Sequence, residues 1–86
     1  MASYRVFIKE SAAKELEALP RKDRVRAVTR IASLSKNPRP PGCEKLAGHD
    51  DRFRVRQGDY RVVYSVSDPE LTVWVVKVGH RKDVYR

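Results

Sequence analysis

Three arginines and a basic tail carry whatever chemistry this sequence has. Arg54 and Arg56 alternate with Phe53 and Val55, and Arg61 follows beyond the short interruption Gln57-Gly58-Asp59. A guanidinium is planar, permanently charged and bidentate toward phosphate oxygens. It is also a poor proton carrier, because its pKa lies above ~12. Proton movement therefore falls to other groups, and the tail from Gly79 to Arg86 contains them. His80 and Tyr85 stand there among Arg81, Lys82 and Arg86. An imidazole titrates near neutrality without any perturbation. A phenol stacks on an unpaired base, or acts as acid or base where cations lower its pKa. Metal-free cleavage of an RNA phosphodiester makes three demands: a proton leaves the 2′-OH, one reaches the departing 5′-oxygen, and the phosphorane charge is stabilised. Arg54, Arg56 and Arg61 suit the last demand, and the tail suits the first two. Plainer roles remain open: His80 as a surface residue at a strand end, Tyr85 as a ring that packs the C-terminus down.

Strand geometry is what would gather these groups. Side chains alternate faces along a strand. Phe53 and Val55 then share one face, and Arg52, Arg54 and Arg56 the other. In the run 60–64, Tyr60, Val62 and Tyr64 form a core row and Arg61 falls opposite. Pairing the two runs through a Gly-containing turn brings Arg61 beside Arg54 and Arg56. The expected product is a rigid sheet with clustered guanidiniums on its open face, a surface for a polyanion.

The totals agree. Eighty-six residues make one domain, 1–86, with room for one modest core. A net charge of +8 calls for an anionic partner, most simply nucleic acid. The lone Cys43 rules out an intrachain disulfide and fits a reducing cytosol. It reads as an incidental loop thiol. Cys43, His49 and His80 do not stand at zinc-ligand spacing, so no metal or other cofactor is expected. No apolar run approaches the ~20 residues of a membrane span, and residues 1–10 lack the apolar core of a signal peptide. Membrane partners are not expected, and the cytoplasm is the expected location.

In chain order, residues 3–9 read as a strand with Tyr4, Val6 and Ile8 on one face. Ser11 sits where a helix N-cap belongs, and Ala12, Leu16 and Leu19 follow at helical spacing. Pro20 ends or kinks this helix. A second helix is expected from near Arg21 to Leu34 or Lys36. Val28 and Ile31 centre its apolar stripe, with Ala27, Ala32 and Leu34 beside them and Lys22, Arg26, Arg30 and Ser33 opposite. Arg26 and Arg30 read more simply as a solvated face than as RNA contacts. Residues 37–42, with three prolines and a glycine, form a loop, and 44–51 are irregular. After the two arginine strands, Asp68-Pro69-Glu70 turns the chain. Residues 71–78, nearly continuous β-branched and apolar sequence broken by Trp74 and Lys77, fit a well-covered strand, and the pattern alone also admits a short buried helix. The expected class is α+β, in the order β-α-α-β-β-β, with an antiparallel sheet and a two-helix hairpin packed on one face. Whether the first strand joins beside the second or the last is not fixed by pattern.

Gly58-Asp59-Tyr60-Arg61-Val62-Val63-Tyr64, an apolar strand, and then Val78-Gly79-His80-Arg81-Lys82-Asp83-Val84-Tyr85 together resemble the RelE family of toxins from type II toxin–antitoxin systems. Lys45-Leu46-Ala47-Gly48 resembles the family's approach to the first arginine strand. The resemblance covers essentially the whole chain. It implies a RelE-like fold and an endoribonuclease that enters the 30S A site, contacts 16S rRNA and cuts the mRNA by 2′-OH attack without a metal, so that translation stops. It also implies a small RelB-like antitoxin encoded next door. By position, Arg54 and Arg56 fall where the family has its two basic strand residues, one of them assigned as general base. Arg61 matches the phosphate-stabilising arginine. Arg81 matches the arginine assigned as general acid or leaving-group stabiliser, and Tyr85 the tyrosine that stacks on the mRNA base. Well-studied members have lysine at the two strand positions. Arginine deprotonates far less readily, which shifts proton transfer toward His80, as a histidine near this position does in some relatives. Arg52, Lys77, Lys82 and Arg86 are further candidate RNA contacts. Two alternatives stand beside this reading: a ParE-like toxin that poisons DNA gyrase, and an RNA- or ribosome-binding module without catalysis.

Overall fold

A computed structural model describes residues 3–84. The elements are β1 (Arg5–Ile8), α1 (Glu10–Glu17), α2 (Arg21–Ser33), β2 (Glu44–Lys45), β3 (Arg52–Gln57), β4 (Tyr60–Ser67), β5 (Thr72–His80) and α3 (Arg81–Val84). They form one five-stranded sheet in the order β1-β5-β4-β3-β2. Strands β3 to β5 form the expected antiparallel meander and the short β2 adds to it antiparallel, but β1 joins β5 in parallel, with Phe7 opposite Trp74. The sheet is therefore mixed rather than purely antiparallel. A parallel neighbour requires a crossover in the chain, and here α1, α2 and three strands intervene between the two.

Period-two burial fixes the register. Phe53 and Val55 on β3 face Tyr64 and Val62 on β4, and all four are buried. Val73, Val75 and Val78 continue this layer on β5, while Ala12, Leu16 and Leu19 of the first helical segment and Ala27, Ile31 and Leu34 of the second cover it. Gln57 pairs with Tyr60, which leaves Gly58-Asp59 as a two-residue hairpin loop. Gly58 has φ +61 and Asp59 does not share a positive φ, the pattern of a type II′ turn. A register shift between Val63 and Tyr64 leaves Val76 unpaired in β5, and Lys77 beyond it lies 3.3 Å from Glu15 on α1. Glu15 also accepts the Val78 backbone N–H at 3.1 Å, where β1 has ended and the ladder would otherwise stop.

Several local expectations are corrected. Ser11 is not an N-cap: α1 begins at Glu10, after Lys9, which makes no side-chain cap. Lys9 still belongs to the sheet through its N–H to Val75 O, so one residue is both the end of the strand pairing and the N-cap position of the helix. In α2 the buried row is Ala27, Ile31 and then Leu34, whereas Val28 is 47% exposed and Ala32 is exposed. Val28 and Ile31, three residues apart, fit a helical period as well as Ala27 and Ile31, four apart, so spacing does not choose between the two rows. Residues 44–51 contain the short β2, paired with Phe53 and Arg54. The second helix ends at Ser33, and Leu34 to Asn37 turn toward the proline loop.

That loop is pinned near its start, at Pro38 and Arg39. Buried Tyr64 donates its hydroxyl to Pro38 O at 2.7 Å, and burial raises its pKa well above the ordinary phenol value. Asp68, in the β4–β5 turn, accepts from Tyr4 Oη at 2.6 Å and from both terminal nitrogens of Arg39, at 3.1 and 2.9 Å. Arg39 and then Tyr4 hold the Asp68 carboxyl below its usual range. The clasp joins the first strand, the loop and the turn at the end of the sheet away from Gly58.

Candidate functional site

The arginines come together as the alternation requires. Arg56 and Arg61 are direct partners across β3 and β4, and Arg61 in turn pairs with Gly79 on β5. On the face away from the helices, Arg61 thus has a guanidinium on one side and bare backbone on the other. Arg56 donates Nε to Gly58 O at 3.2 Å, and Arg61 donates Nη1 to Tyr60 O at 3.2 Å. Each holds its stem with one such bond and leaves further N–H groups for an anion. Arg54 lies one row along, opposite Val63, where its Nη2 meets Glu44 Oε2 at 2.9 Å. Glu44 is on β2, so the short strand places a carboxylate beside Arg54.

The end of β5 brings in the tail. The Arg81 N–H donates to Asp59 O at 2.8 Å, which fixes the start of α3 against the β3–β4 turn. The Arg81 side chain is exposed. His80 pairs with Tyr60, and their rings meet edge to face with centroids 5.7 Å apart. His80 Nδ1 accepts the Lys82 N–H at 3.2 Å. That bond assigns the neutral ring's proton to Nε2. The exposed Arg81 and the Arg56–Arg61 pair therefore share one end of the sheet, around Gly58 and Asp59, whereas His80 stands at that same end on the opposite face, beside Tyr60 and the core.

Other candidates are placed differently. Lys77 turns to Glu15 rather than to the arginines. Arg52 lies on the open face two rows from Arg56, opposite Ser65. Lys82 is exposed on α3. Tyr85 and Arg86 lie outside the described residues. Arg26 is exposed, but Arg30 is half-buried and donates Nε to Gln57 Oε1 at 3.2 Å. Arg30 lines a cleft of about 390 Å³ at the open edge of β3, together with Pro41, Glu44, Arg56, Gln57 and Gly58. Neither the Arg30–Gln57 link nor the Glu44–Arg54 pair was found by motif. The signal for Arg30 was present, since it stands one residue from buried Ile31 and so borders the core face of its helix.

Comparison with known proteins identifies the family and the fold. The family model described as ParE toxin of type II toxin-antitoxin system, parDE, matches residues 6–85. Toxin RelG of Mycobacterium tuberculosis is 35% identical over 88 residues, covering 96% of this chain and 97% of that toxin. Among solved structures, a chain of the archaeal RelE–RelB complex from Pyrococcus horikoshii superposes with a TM-score of 0.83 at 32% identity, covering 94% of this chain and 98% of that one. The isolated Escherichia coli RelE toxin gives 0.80 at 30% identity, covering 96% and 92%. The chain belongs to the RelE family of toxins, within the RelE/ParE superfamily of type II toxin–antitoxin systems.

Proposed function

We propose that this toxin is a ribosome-dependent mRNA endoribonuclease that cuts in the A site by attack of the 2′-OH. The observation that carries the reading is the Arg56–Arg61 pair on the open face, with Arg81 fixed beside the turn that joins their strands. Arg61 is the phosphate-stabilising group, its guanidinium matched to the charge that grows on the non-bridging oxygens. Arg81 supports the departing 5′-oxygen. Arg54 and Arg56 hold the backbone of the message, and His80 carries a proton, since guanidiniums are poor at it. Tyr85 stacks on the base next to the cut. The site lacks a strong acid–base pair, so the ribosome is assigned the task of orienting the message.

A RelB-like antitoxin is the proposed protein partner, by analogy with the RelE–RelB complex from Pyrococcus horikoshii. The site's positive charge would speed association with an acidic segment, and apolar anchors would hold it.

Primer extension of mRNA 5′ ends after brief expression tests the activity. New ends inside translated codons, with protein synthesis stopping first, are expected. The description of the matched family model favours one second reading, a ParE-like toxin acting on DNA gyrase. Replication arrest with intact mRNA would establish that reading in place of the first.

A further inference from the structure

The open face carries a second feature that the cleavage site does not use. Phe7 and Trp74 are direct partners in the parallel β1–β5 pair and stack with centroids 4.9 Å apart. Both are substantially exposed, Phe7 at 39% and Trp74 at 42%. Large rings on a small protein's surface ordinarily turn inward, so an ordered, solvent-facing pair marks a binding surface. Its surroundings are basic. The Arg5 guanidinium carbon lies 5.8 Å from the Phe7 ring centroid. Lys9 and Arg52 line a shallow depression of about 320 Å³ beside Trp74, with Ser65, Val76 and Asp51.

Register ties this platform to the arginines. Trp74 pairs with Ser65, and Ser65 with Arg52. Arg61 lies four residues from Ser65 along β4, about 13 Å at the usual strand rise. A single RNA strand held at Arg61 and running along the sheet would therefore reach Trp74. Exposed aromatic rings edged by Arg and Lys bind single-stranded RNA by base stacking and phosphate pairing together.

We propose that Phe7 and Trp74 form a base-stacking platform for the message strand, a few nucleotides from the phosphate at Arg61, with Arg5, Lys9 and Arg52 on its backbone. The proposal rests on the reading of the arginine cluster as an RNA site.

Trp74 is the chain's one tryptophan, so its emission reports on this place alone. The purified full chain is titrated with a short single-stranded oligoribonucleotide at low salt. Emission is followed together with the anisotropy of a label on the RNA. Saturable quenching is expected. Trp74→Ala should weaken binding about ten-fold or more, whereas Trp74→Phe, which keeps a stacking ring, should stay near the parent. Phe7→Leu serves as a second variant, and thermal unfolding of each checks that it is folded. If the parent binds RNA with unchanged emission and Trp74→Ala binds as tightly, the platform is wrong and the arginine site stands. If the parent binds no RNA, the reading of the arginine site falls and the platform with it. Emission that responds to a co-purified antitoxin but not to RNA would make this a protein-docking face and overturn the proposal.

Discussion

Arg56 and Arg61 stand directly opposite each other on the open face of the β3–β4 ladder. Like charges at such a position destabilise a sheet by about 0.2–1 kcal/mol. Buried pairs on the other face, Val55 with Val62 and Phe53 with Tyr64, hold the register against that repulsion. An anion lying between the two guanidiniums would relieve the repulsion, so on the proposed reading the arrangement trades stability for binding.

The trade predicts opposite signs for stability and function. Arg56→Thr keeps a good strand former and removes the like-charge pair. Urea unfolding should show a gain of up to about 1 kcal/mol. RNA affinity should fall, and its salt dependence should become shallower as one phosphate contact is lost. A variant that is both less stable and unimpaired in RNA binding would contradict this account of the pair.

In the proposed mechanism, Arg61→Ala removes a charge-assisted contact that strengthens as the phosphorane forms. By analogy with loss of an oxyanion donor, the single-turnover rate on saturating ribosomes should drop roughly 10²-fold or more, with ribosome binding little changed. His80→Gln separates the roles. A changed pH profile of the same rate would assign the proton to His80, and an unchanged profile would remove it from the chemistry.

Asp68 gives the fold a defined acid sensitivity. Arg39 and Tyr4 depress its carboxyl below the ordinary 3.8. A depressed carboxyl contributes stability above that ordinary value and loses it as pH falls through the native one. Unfolding midpoints measured from pH 6 downward should therefore decline below about pH 4. Asp68→Asn should flatten that part of the curve and lower the midpoint at neutral pH. An unaltered acid limb in the variant would place the sensitivity in another carboxylate.

The arginine face was legible because strand periodicity leaves little choice. Once Phe53, Val55, Val62 and Tyr64 are buried, Arg54, Arg56 and Arg61 must face away. The Gly58 turn supplies the register. Helical stripes are less determined: Val28 lies off the buried row, and sequence spacing alone does not say which of two adjacent rows meets the sheet. The parallel joining of β1 was beyond reach because no local signal names a strand's distant neighbour. The Glu15 cap on Val78 was hidden for the same reason, since it joins residues far apart in sequence. Phe7 and Trp74 were each visible as strand residues, and only the β1–β5 register stacks them.

Gly79 has no conformational need to be glycine. Its backbone is ordinary strand, since the positive φ values among the described glycines belong to Gly42, Gly48 and Gly58. A glycine inside a strand weakens it and often marks a bulge, a bend or the close approach of a ligand or another backbone. Gly79 is opposite Arg61, so a side chain there would stand on the flank of the guanidinium that faces away from Arg56. Gly79→Val should leave stability unchanged or higher, because Val suits a strand better. It should cut the single-turnover cleavage rate by ten-fold or more, about 1.4 kcal/mol of barrier, and Gly79→Ala should do less. If the effect is obstruction at Arg61, the Val substitution should add little in an Arg61→Ala background. Full additivity of the two losses would mean that Gly79 acts on the strand's shape rather than on access to Arg61.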